Sequence, residues 1–365
     1  MRTSDSVVIF LLRDLCVGGA ENLFVNLANH YFRSGGRPIV ALVRKTGDLV
    51  GKLDSGIEVF ELSGGRMLSS IFPLRELLRK LNPEMLVCTT EYINIVGWFS
   101  WMLCPEISTK LVIREATVLQ KHLEHKMGFL GICILRLLSS LVYRYSNLTV
   151  FPSRASMSSA IDWLFLKPAN PLILMNPVDS EEINQFAQQE LPEGDYPPYY
   201  LAVGRLETEK NYELLLEAFS LFNKTRPEWK LVILGDGSKK HSLELLASDL
   251  GIRPGVVFYG YESNPYRWMK RAHGIVSTSL YEGFSNTLLE ALFLKIHLIV
   301  TSNSESSVEL MQMLGSSNIS TPKADDLAAL LDRVAGLSAP QYNFELPAPN
   351  QYLDALSKGF VSHAG

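Results

Sequence analysis

The chain has 365 residues, of which 47% are hydrophobic and 20% are charged. This composition is that of a globular protein with room for two cores of ordinary size. The formal net charge of -4 gives no overall electrostatic basis for binding nucleic acid, so we expect no nucleic-acid partner. Any site that binds an anion must therefore consist of a local cluster of basic residues.

The four cysteines predict a reducing compartment. They are widely spaced in apolar neighbourhoods, at Cys16, Cys88, Cys104 and Cys133, which is typical of small buried side chains rather than of a disulfide framework or a zinc site. The apolar run 7–12 is too short for the apolar region of a signal peptide and is typical of a buried first strand. We therefore predict a cytoplasmic protein.

Short apolar runs alternate with helix-length segments along the whole chain. The predicted strands are 7–12, 38–43, 85–89, 111–113, 148–151 and 172–175, then 200–203, 231–234, 256–259, 274–277 and 298–301. The predicted helices between them include 20–32, 74–81, 212–222 and 241–250. Continuous apolar strands that alternate with helices indicate parallel sheets covered on both faces. Two such series predict an α/β protein with two doubly wound, Rossmann-like domains.

The two series are separated at "MNPVDSEEINQFAQQELPEGDYPPYY", which is rich in proline, glutamine and acidic residues. We place an N-terminal domain at 1–178, a linker at 179–196, a C-terminal domain at 197–344 and a tail at 345–365 that can cross back to the first domain. Open α/β sheets bind ligands beyond the carboxyl ends of their strands. A cleft between the two facing domains is therefore the expected active site.

The segment 119–146 begins with a basic stretch that contains Lys121 and Lys126, and continues almost entirely apolar. A bilayer-spanning helix needs about 20 consecutive apolar residues, and Arg136 interrupts this run, so a transmembrane helix is not predicted. Two alternatives remain open. The segment is either a buried helix of the first domain or a basic amphipathic helix that docks on an anionic lipid surface.

The stretch "VGRLETEKNYELLLEAF" follows the first strand of the second series. Gly204 lets the chain turn close to a ligand, and Arg205 and Lys210 place two cations at the carboxyl end of the sheet. Arginine can hold a phosphate in a bidentate manner, and lysine adds a compact charge. The alternative is that Lys210 pairs with Glu207 or Glu213 on a solvated face.

The stretch "SLYEGFSNTLLEAL" places two carboxylates, Glu282 and Glu290, around a helix start at Ser285, Asn286 and Thr287. A helix N-terminus carries partial positive charge that suits a phosphate, and a carboxylate accepts hydrogen bonds from sugar and ribose hydroxyls. In the alternative interpretation, one glutamate is a solvated loop residue and the other is an acid favoured by the helix dipole.

Four motifs occur in order between Gly204 and Ala291, namely Gly-Arg-Leu-x-x-x-Lys-Asn, Gly-Asp-Gly, Val-x-Phe-x-Gly and Glu-Gly-Phe-x-Asn-x-x-x-Glu-Ala. The first half adds "GGAENLFVNLA", "REAT" and "NPVD". This order resembles the retaining GT-B glycosyltransferases of family 4, also called glycosyl transferases group 1, over most of the chain. The resemblance implies two Rossmann-like domains that face each other across a cleft, and an enzyme that transfers a sugar from a nucleotide-sugar donor with retention.

The resemblance also implies roles for the matching residues. The catalytic residues would be Arg205 and Lys210, which hold the donor diphosphate, and Glu282, which approaches the donor sugar. Glu290 would hold the ribose hydroxyls. The full set of donor-binding residues would be Gly18, Gly19, Gly204, Gly235, Gly260, Ser285, Asn286, Thr287 and Glu290.

On the acceptor side, the resemblance points to Arg114 and Glu115. A UDP-linked hexose or N-acetylhexosamine is the preferred donor, with GDP-mannose as an alternative, and the acceptor would be a glycan or a polyprenyl-diphosphate-linked sugar. Arginine and lysine would neutralise the leaving diphosphate, so no metal and no other cofactor is expected. Consistent with this, the sequence has no Asp-x-Asp triplet. A peripheral position on the inner face of the cell membrane would fit such an acceptor.

The sequence departs from the family pattern after the Glu-Ala pair, because Lys295 and His297 stand where many members have Gly and Pro. Many members also have a histidine in the first domain near the donor sugar, and none lies around Arg114. Two other functions remain open: a catalytically silent protein that binds sugar nucleotides or assists assembly, and a GT-B nucleotide-sugar epimerase.

Overall fold

The computed structural model describes residues 6–116, 128–192 and 196–360. They form two compact units. The first unit comprises the chain up to Pro177 and again from Pro347 onward, and the second unit is Val178–Leu346. Each unit is built on its own parallel sheet, so the predicted α/β class with two doubly wound domains is confirmed.

The first sheet has seven strands and the second has six. The strands of the first sheet are β1 (Val7–Leu12), β2 (Arg37–Leu42), β3 (Glu58–Glu61), β4 (Met85–Thr89), β5 (Lys110–Arg114), β6 (Leu148–Phe151) and β7 (Pro171–Ile173). Those of the second are β8 (Tyr199–Val203), β9 (Lys230–Leu234), β10 (Val256–Gly260), β11 (Gly274–Ser277), β12 (His297–Thr301) and β13 (Ile319–Ser320). The spatial orders are β3-β2-β1-β4-β5-β6-β7 and β10-β9-β8-β11-β12-β13. In both sheets the order reverses beside the first strand, and this is where open α/β sheets bind ligands.

Helices connect the strands. The α-helices of the described residues are α1 (Gly19–Arg33), α2 (Ile71–Leu81), α3 (Glu91–Met102), α4 (Phe129–Tyr145), α5 (Arg154–Trp163), α6 (Ser180–Ala187), α7 (Tyr212–Thr225), α8 (Lys240–Asp249), α9 (Tyr266–Met269), α10 (Asn286–Phe293), α11 (Glu305–Met313), α12 (Ala324–Ala335) and α13 (Pro349–Lys358). None of these helices has the length and apolar character needed to cross a bilayer.

The central strands are apolar because both of their faces are covered. In the first sheet Phe10 lies between Val40 and Val87 in register, and all three side chains are buried. The last helix, α13, packs on α1, and its Tyr352 and Leu356 join the core on one face of the first sheet. The chain therefore returns to the first unit after it has completed the second.

The predicted strands are all present, and their ends agree within two residues. The sequence prediction missed β3 and β13. Both are edge strands, and β3 has the sequence EVFE with a glutamate at each end. An edge strand has fewer neighbours to pack against, so it does not need the continuous apolar run by which the central strands were predicted.

The segment predicted as a linker, 179–196, carries helix α6 in the structure. Asp179 caps this helix by accepting a hydrogen bond from the Glu182 N–H at 3.0 Å. Helix α6 packs against α9, and the Asn264 side chain donates to the Phe186 carbonyl at 2.9 Å. Residues 179–192 are therefore part of the second unit.

The cysteines are all free. Cys88 and Cys104 are buried as predicted, and Cys133 is partly exposed. The prediction was wrong for Cys16, which is exposed in the loop after β1. In that loop the polar neighbour Asp14 accepts a hydrogen bond from the Cys16 N–H, so the surroundings are not those of a core.

Candidate active site

Glycines lie at the carboxyl ends of three neighbouring strands of the second sheet: Gly204 follows β8, Gly235 follows β9, and Gly260 is the last residue of β10. The Gly204 N–H donates to the Leu234 carbonyl at 3.0 Å, and the Gly235 N–H donates to the Gly260 carbonyl at 2.7 Å. Gly235 has φ +141°, and a Cβ atom there would lie 2.0 Å from the Gly204 carbonyl oxygen. Close packing of the strand ends thus already requires glycine at position 235. Its predicted contact with a ligand would be a second role.

Lys210 is held at the carboxyl end of β11 by its backbone. It ends a short 3₁₀ turn, and the next residue, Asn211, adopts a left-handed conformation before α7 begins. The Thr278 hydroxyl donates to both the Lys210 carbonyl at 2.9 Å and the Asn211 carbonyl at 3.0 Å. These hydrogen bonds join the loop after β8 to the loop after β11. They therefore fix the backbone position of Lys210.

The Lys210 ammonium contacts the Glu282 carboxylate, with 2.5 Å between Nζ and Oε1. The same Oε1 accepts a hydrogen bond from the Ser279 hydroxyl at 2.5 Å. The side chains of Lys210 and Glu282 are only 24% and 11% exposed. Burial opposes ionisation of Glu282, but the Lys210 charge and hydrogen bonds from Lys210, Ser279 and Ser285 outweigh it and lower the pKa of this carboxyl below its usual value.

A small pocket surrounds this ion pair. It lies at the carboxyl ends of β8 and β11, beside the N-terminus of α10, where the Ser285 hydroxyl caps the helix by accepting from the Leu288 N–H. The polar residues that line it include Lys210, Tyr212, Ser279, Glu282, Ser285 and Thr287. The pocket is therefore surrounded by the Lys210 ammonium, the Glu282 carboxylate and the N-terminus of α10. Such a site can hold an anion beside a group with several hydroxyls.

Six predicted residues of the second unit lie outside the lining of this pocket, namely Gly204, Arg205, Gly235, Gly260, Asn286 and Glu290. Arg205 is 66% exposed and pairs with Glu209 at 2.7 Å. Glu290 lies on α10 and accepts from the Tyr266 hydroxyl at 3.5 Å. Burial, and then the nearby Glu290 charge, raise the pKa of Tyr266 well above its usual value. Arg205 is thus free of tight packing, whereas the Glu290 carboxylate already has a protein partner.

The structure contradicts both alternative interpretations of the ion-pair residues. Glu207 does not hold Lys210, because its carboxylate accepts from the N–H and the hydroxyl of Ser238. Glu213 instead pairs with Lys239 at 3.4 Å. Glu282 is not a solvated loop residue. The loop after β11 turns it inward, and its carbonyl also accepts from the Ser306 hydroxyl at 2.9 Å.

In the first unit, Gly18 and Gly19 lie at the start of α1. Gly18 is the N-cap residue in an extended conformation. Its carbonyl accepts from both the backbone N–H and the side-chain amide of Asn22, each at 2.9 Å. A Cβ atom at position 18 would lie 2.1 Å from the Glu21 carboxylate, and a movement of that flexible side chain would relieve the overlap.

Arg114 and Glu115, at the end of β5, are buried, with 4% and 1% exposure. The Arg114 guanidinium donates to the Asn176 side chain at 2.7 Å, and the Glu115 carboxylate accepts from the Tyr143 hydroxyl. In this structure both side chains have partners inside the first unit. Their acceptor-side role stays a prediction.

Sequence reasoning missed one residue of the site, Ser279, and one buried acid of the first unit, Glu91. Ser279 is the hydroxyl donor to Glu282, and it was not distinguished from the other serines of its stretch. Glu91 is the buried first residue of α3, two residues after β4, and accepts from the Ser139 hydroxyl at 3.0 Å. Burial, and then the Glu115 charge, raise the pKa of Glu91 to about 8. The available signal was a glutamate two residues after a continuous apolar strand.

Solved structures similar to this chain define its fold class. HepE of Anabaena, solved in complex with UDP and glucose, is similar over 90% of this chain and 89% of its own length, with a TM-score of 0.71 and 16% sequence identity. Such low identity supports the fold alone. The fold is GT-B, as the resemblance predicted.

Sequence comparisons give the family. Residues 183–341, most of the second unit, match the family model described as glycosyl transferases group 1. A Campylobacter jejuni protein, N-acetylgalactosamine-N,N'-diacetylbacillosaminyl-diphospho-undecaprenol 4-alpha-N-acetylgalactosaminyltransferase, is 31% identical over 55% of this chain and 53% of its own length. A second C. jejuni protein, an alpha-1,4-N-acetyl-D-galactosaminyltransferase acting on a PP-undecaprenol-linked sugar, is 25% identical over 84% of this chain and 82% of its own length.

The chain thus spans about half the length of the first of these relatives. The relatives are named glycosyltransferases, and the predicted resemblance to group 1 is confirmed. The narrower placement in family 4 stays a prediction.

Proposed function

We propose that this protein is a retaining glycosyltransferase that moves a sugar from a nucleotide-sugar donor to a glycan or lipid-linked acceptor during synthesis of a surface polysaccharide. The observation that carries the proposal is the Lys210–Glu282 ion pair in the pocket beside the N-terminus of α10. The group 1 family match of the same unit supports it.

The chemistry follows from where charge appears during transfer. When the glycosidic bond of the donor breaks, the leaving nucleoside diphosphate gains negative charge. Lys210 carries three N–H donors, so its ammonium can hold Glu282 and a diphosphate oxygen at the same time. Because the lysine is already fixed by Glu282 and by its own backbone, it stabilises the leaving group with little rearrangement.

Glu282 would accept a hydrogen bond from a hydroxyl of the donor sugar. Its lowered pKa keeps it ionised at neutral pH, which makes it a strong acceptor. Arg205 would add a second cation by leaving Glu209 for the diphosphate, a small cost for so exposed a pair. Glu290, on the helix that follows, would hold the ribose hydroxyls beside Tyr266.

For the donor we propose a UDP-linked hexose or N-acetylhexosamine. The relatives named N-acetylgalactosaminyltransferases and the fold neighbour solved with UDP and glucose support this preference. The names of the relatives also support a polyprenyl-diphosphate-linked acceptor. We propose no metal requirement, because the cations and the helix N-terminus supply the positive charge that the diphosphate needs.

The experiment is an incubation of the protein with a panel of UDP- and GDP-linked sugars, with and without a polyprenyl-diphosphate-linked acceptor, while released nucleotide is measured. We expect UDP release that depends on acceptor, and a product with the anomeric configuration of the donor by NMR. Tight UDP binding without release would favour a silent binder. Conversion of the donor sugar to its epimer without acceptor would favour an epimerase.

A further inference from the structure

Helix α4 of the first unit is apolar on the side that faces solvent. Leu130, Ile134 and Leu137 follow each other at helical spacing and are 72%, 52% and 50% exposed. The opposite side of the helix packs in the core through Leu135 and Val142. A surface helix is normally polar on its outer side, and a helix that is apolar all round normally has a second apolar environment. We define the exposed residues Leu130, Ile134 and Leu137 as the outer face of α4.

The loop after α5 extends this apolar surface. Phe165 is 55% exposed, and its N–H donates to the Ser140 hydroxyl of α4 at 2.9 Å. The Arg136 guanidinium lies 4.1 Å from the centre of the Phe165 ring. The ring is therefore held beside the outer face by contacts with α4. Leu166, the next residue, is also exposed.

The segment that carries this surface is mainly basic. Residues 128–170 contain four basic residues and one acidic residue, an excess of three positive charges in a chain whose net charge is -4. Helix α4 itself contains no Asp or Glu. Arg144 is exposed near the end of the same helix, and Lys167 follows the exposed Phe165 and Leu166.

We infer that the outer face of α4 and Phe165 dock on an anionic lipid surface. Exposed leucine, isoleucine and phenylalanine side chains enter the boundary between headgroups and acyl chains, and the surrounding arginines and lysine contact the anionic headgroups. A protein partner is the less favoured occupant, because α4 combines exposed apolar side chains with arginines and has no Asp or Glu to pair with a partner's cations. This inference does not depend on the proposed transfer reaction.

Co-sedimentation with lipid vesicles, without donor or acceptor, tests it. We expect the protein to bind vesicles that contain phosphatidylglycerol, to bind phosphatidylcholine vesicles much more weakly, and to lose binding as salt is raised. Leu137→Glu should weaken binding about tenfold or more, because it replaces a lipid-facing leucine by a charge. Arg144→Ala should weaken binding about fivefold, the usual effect of one surface cation.

Leu245→Glu is the matched control, because Leu245 is an equally exposed leucine of the second unit. It should bind vesicles as the unchanged protein does. All three variants alter exposed side chains and should keep the melting temperature, which circular dichroism would check. Vesicle binding that is absent, or that Leu137→Glu leaves unchanged, would overturn the inference. A dimer in sedimentation velocity that Leu137→Glu dissociates would assign the surface to a second copy instead.

Discussion

Lys210 and Glu282 are 72 residues apart in the chain, yet Nζ and Oε1 lie 2.5 Å apart in the second unit. Each residue belongs to a loop at the carboxyl end of a strand, and the two strands, β8 and β11, are neighbours in the sheet. The sheet order thus creates the ion pair. The mutational predictions below test what the pair and the residues around it do.

Removal of the cations should reduce turnover. Lys210→Ala and Arg205→Ala should each lower kcat about 10²–10³-fold, the usual cost of losing one group that stabilises transition-state charge. Arg226→Ala is the control, because Arg226 is a surface arginine of the same unit that pairs with Asp332, and it should keep its activity. Steady-state kinetics with the best donor gives the answer. Near-normal turnover of the Lys210 variant would contradict the diphosphate assignment.

The two glutamates should differ in their kinetic effects. Glu290→Gln should raise KM more than it lowers kcat, because a ribose contact is the same in the ground state and the transition state. Glu282→Gln should lower kcat and leave the affinity for free UDP nearly unchanged, because its sugar contact matters most as the ring carbon becomes cationic. Glu217→Gln, an exposed acid on α7, should change neither. Calorimetry with UDP and initial-rate kinetics separate these effects. If neither variant changed UDP affinity or turnover, the roles of Glu282 and Glu290 would be structural only.

A chelator should leave activity largely unchanged. Lysine, arginine and the helix N-terminus already offset the charge of the leaving diphosphate, so a divalent ion has little left to neutralise. The measurement is the rate of UDP release before and after EDTA treatment. Complete loss that manganese restores would count against the proposed mechanism.

Lys295→Gly should stabilise the protein. Lys295 stands where many group 1 members have glycine, and it adopts φ +57° in an exposed turn after α10. A left-handed conformation costs a non-glycine residue about 1 kcal/mol, and part of this gain is lost because glycine is freer in the unfolded chain. We expect a net gain of about 0.5 kcal/mol in urea unfolding. The control Lys224→Gly, within helix α7, should instead lose a similar amount.

Acid should destabilise the second unit through His297. Burial, and then the His273 ring 5.1 Å away, lower the pKa of His297 below its ordinary value of 6.5. The unfolded chain then binds a proton more readily than the folded one. The stability is complete above pH 6.5 and decreases as the pH falls through that value. Urea unfolding at pH 7.5 and 5.5 should show the loss, and His297→Gln, which keeps a donor for the Ser338 carbonyl, should reduce it.

The strands and helices could be predicted because each central strand is a continuous apolar run, and such runs are required wherever both faces of a sheet are covered. Four residues of the pocket, Lys210, Glu282, Ser285 and Thr287, could also be selected, since they lie in loops or at a helix start after strand ends. Their partners could not be assigned. Lys210 has Glu207 and Glu213 within three residues in the sequence, but the chain direction after β8 turns both toward other partners, Ser238 and Lys239.

The contacts of Arg114 and Glu115 in the first unit could not be predicted from the sequence either. Arg114 and Glu115 end a strand, where the sequence alone cannot distinguish a side chain that points to a ligand from one that points inward. Their burial depends on the distant residues Asn176 and Tyr143. These contacts form only when the loop after β7 and helix α4 pack against β5, and no local pattern indicates that.

Helix α13 imposes an order on synthesis at the ribosome. The second unit is one continuous stretch, Val178–Leu346, and can fold as soon as it has emerged. The first unit emerges earlier, but its core includes Tyr352, Leu353 and Leu356, which are translated after the entire second unit. The domain that is synthesised first is therefore completed last. Until then the apolar surface of α1 that α13 covers stays exposed, and this surface is where we expect chaperones to bind the nascent chain.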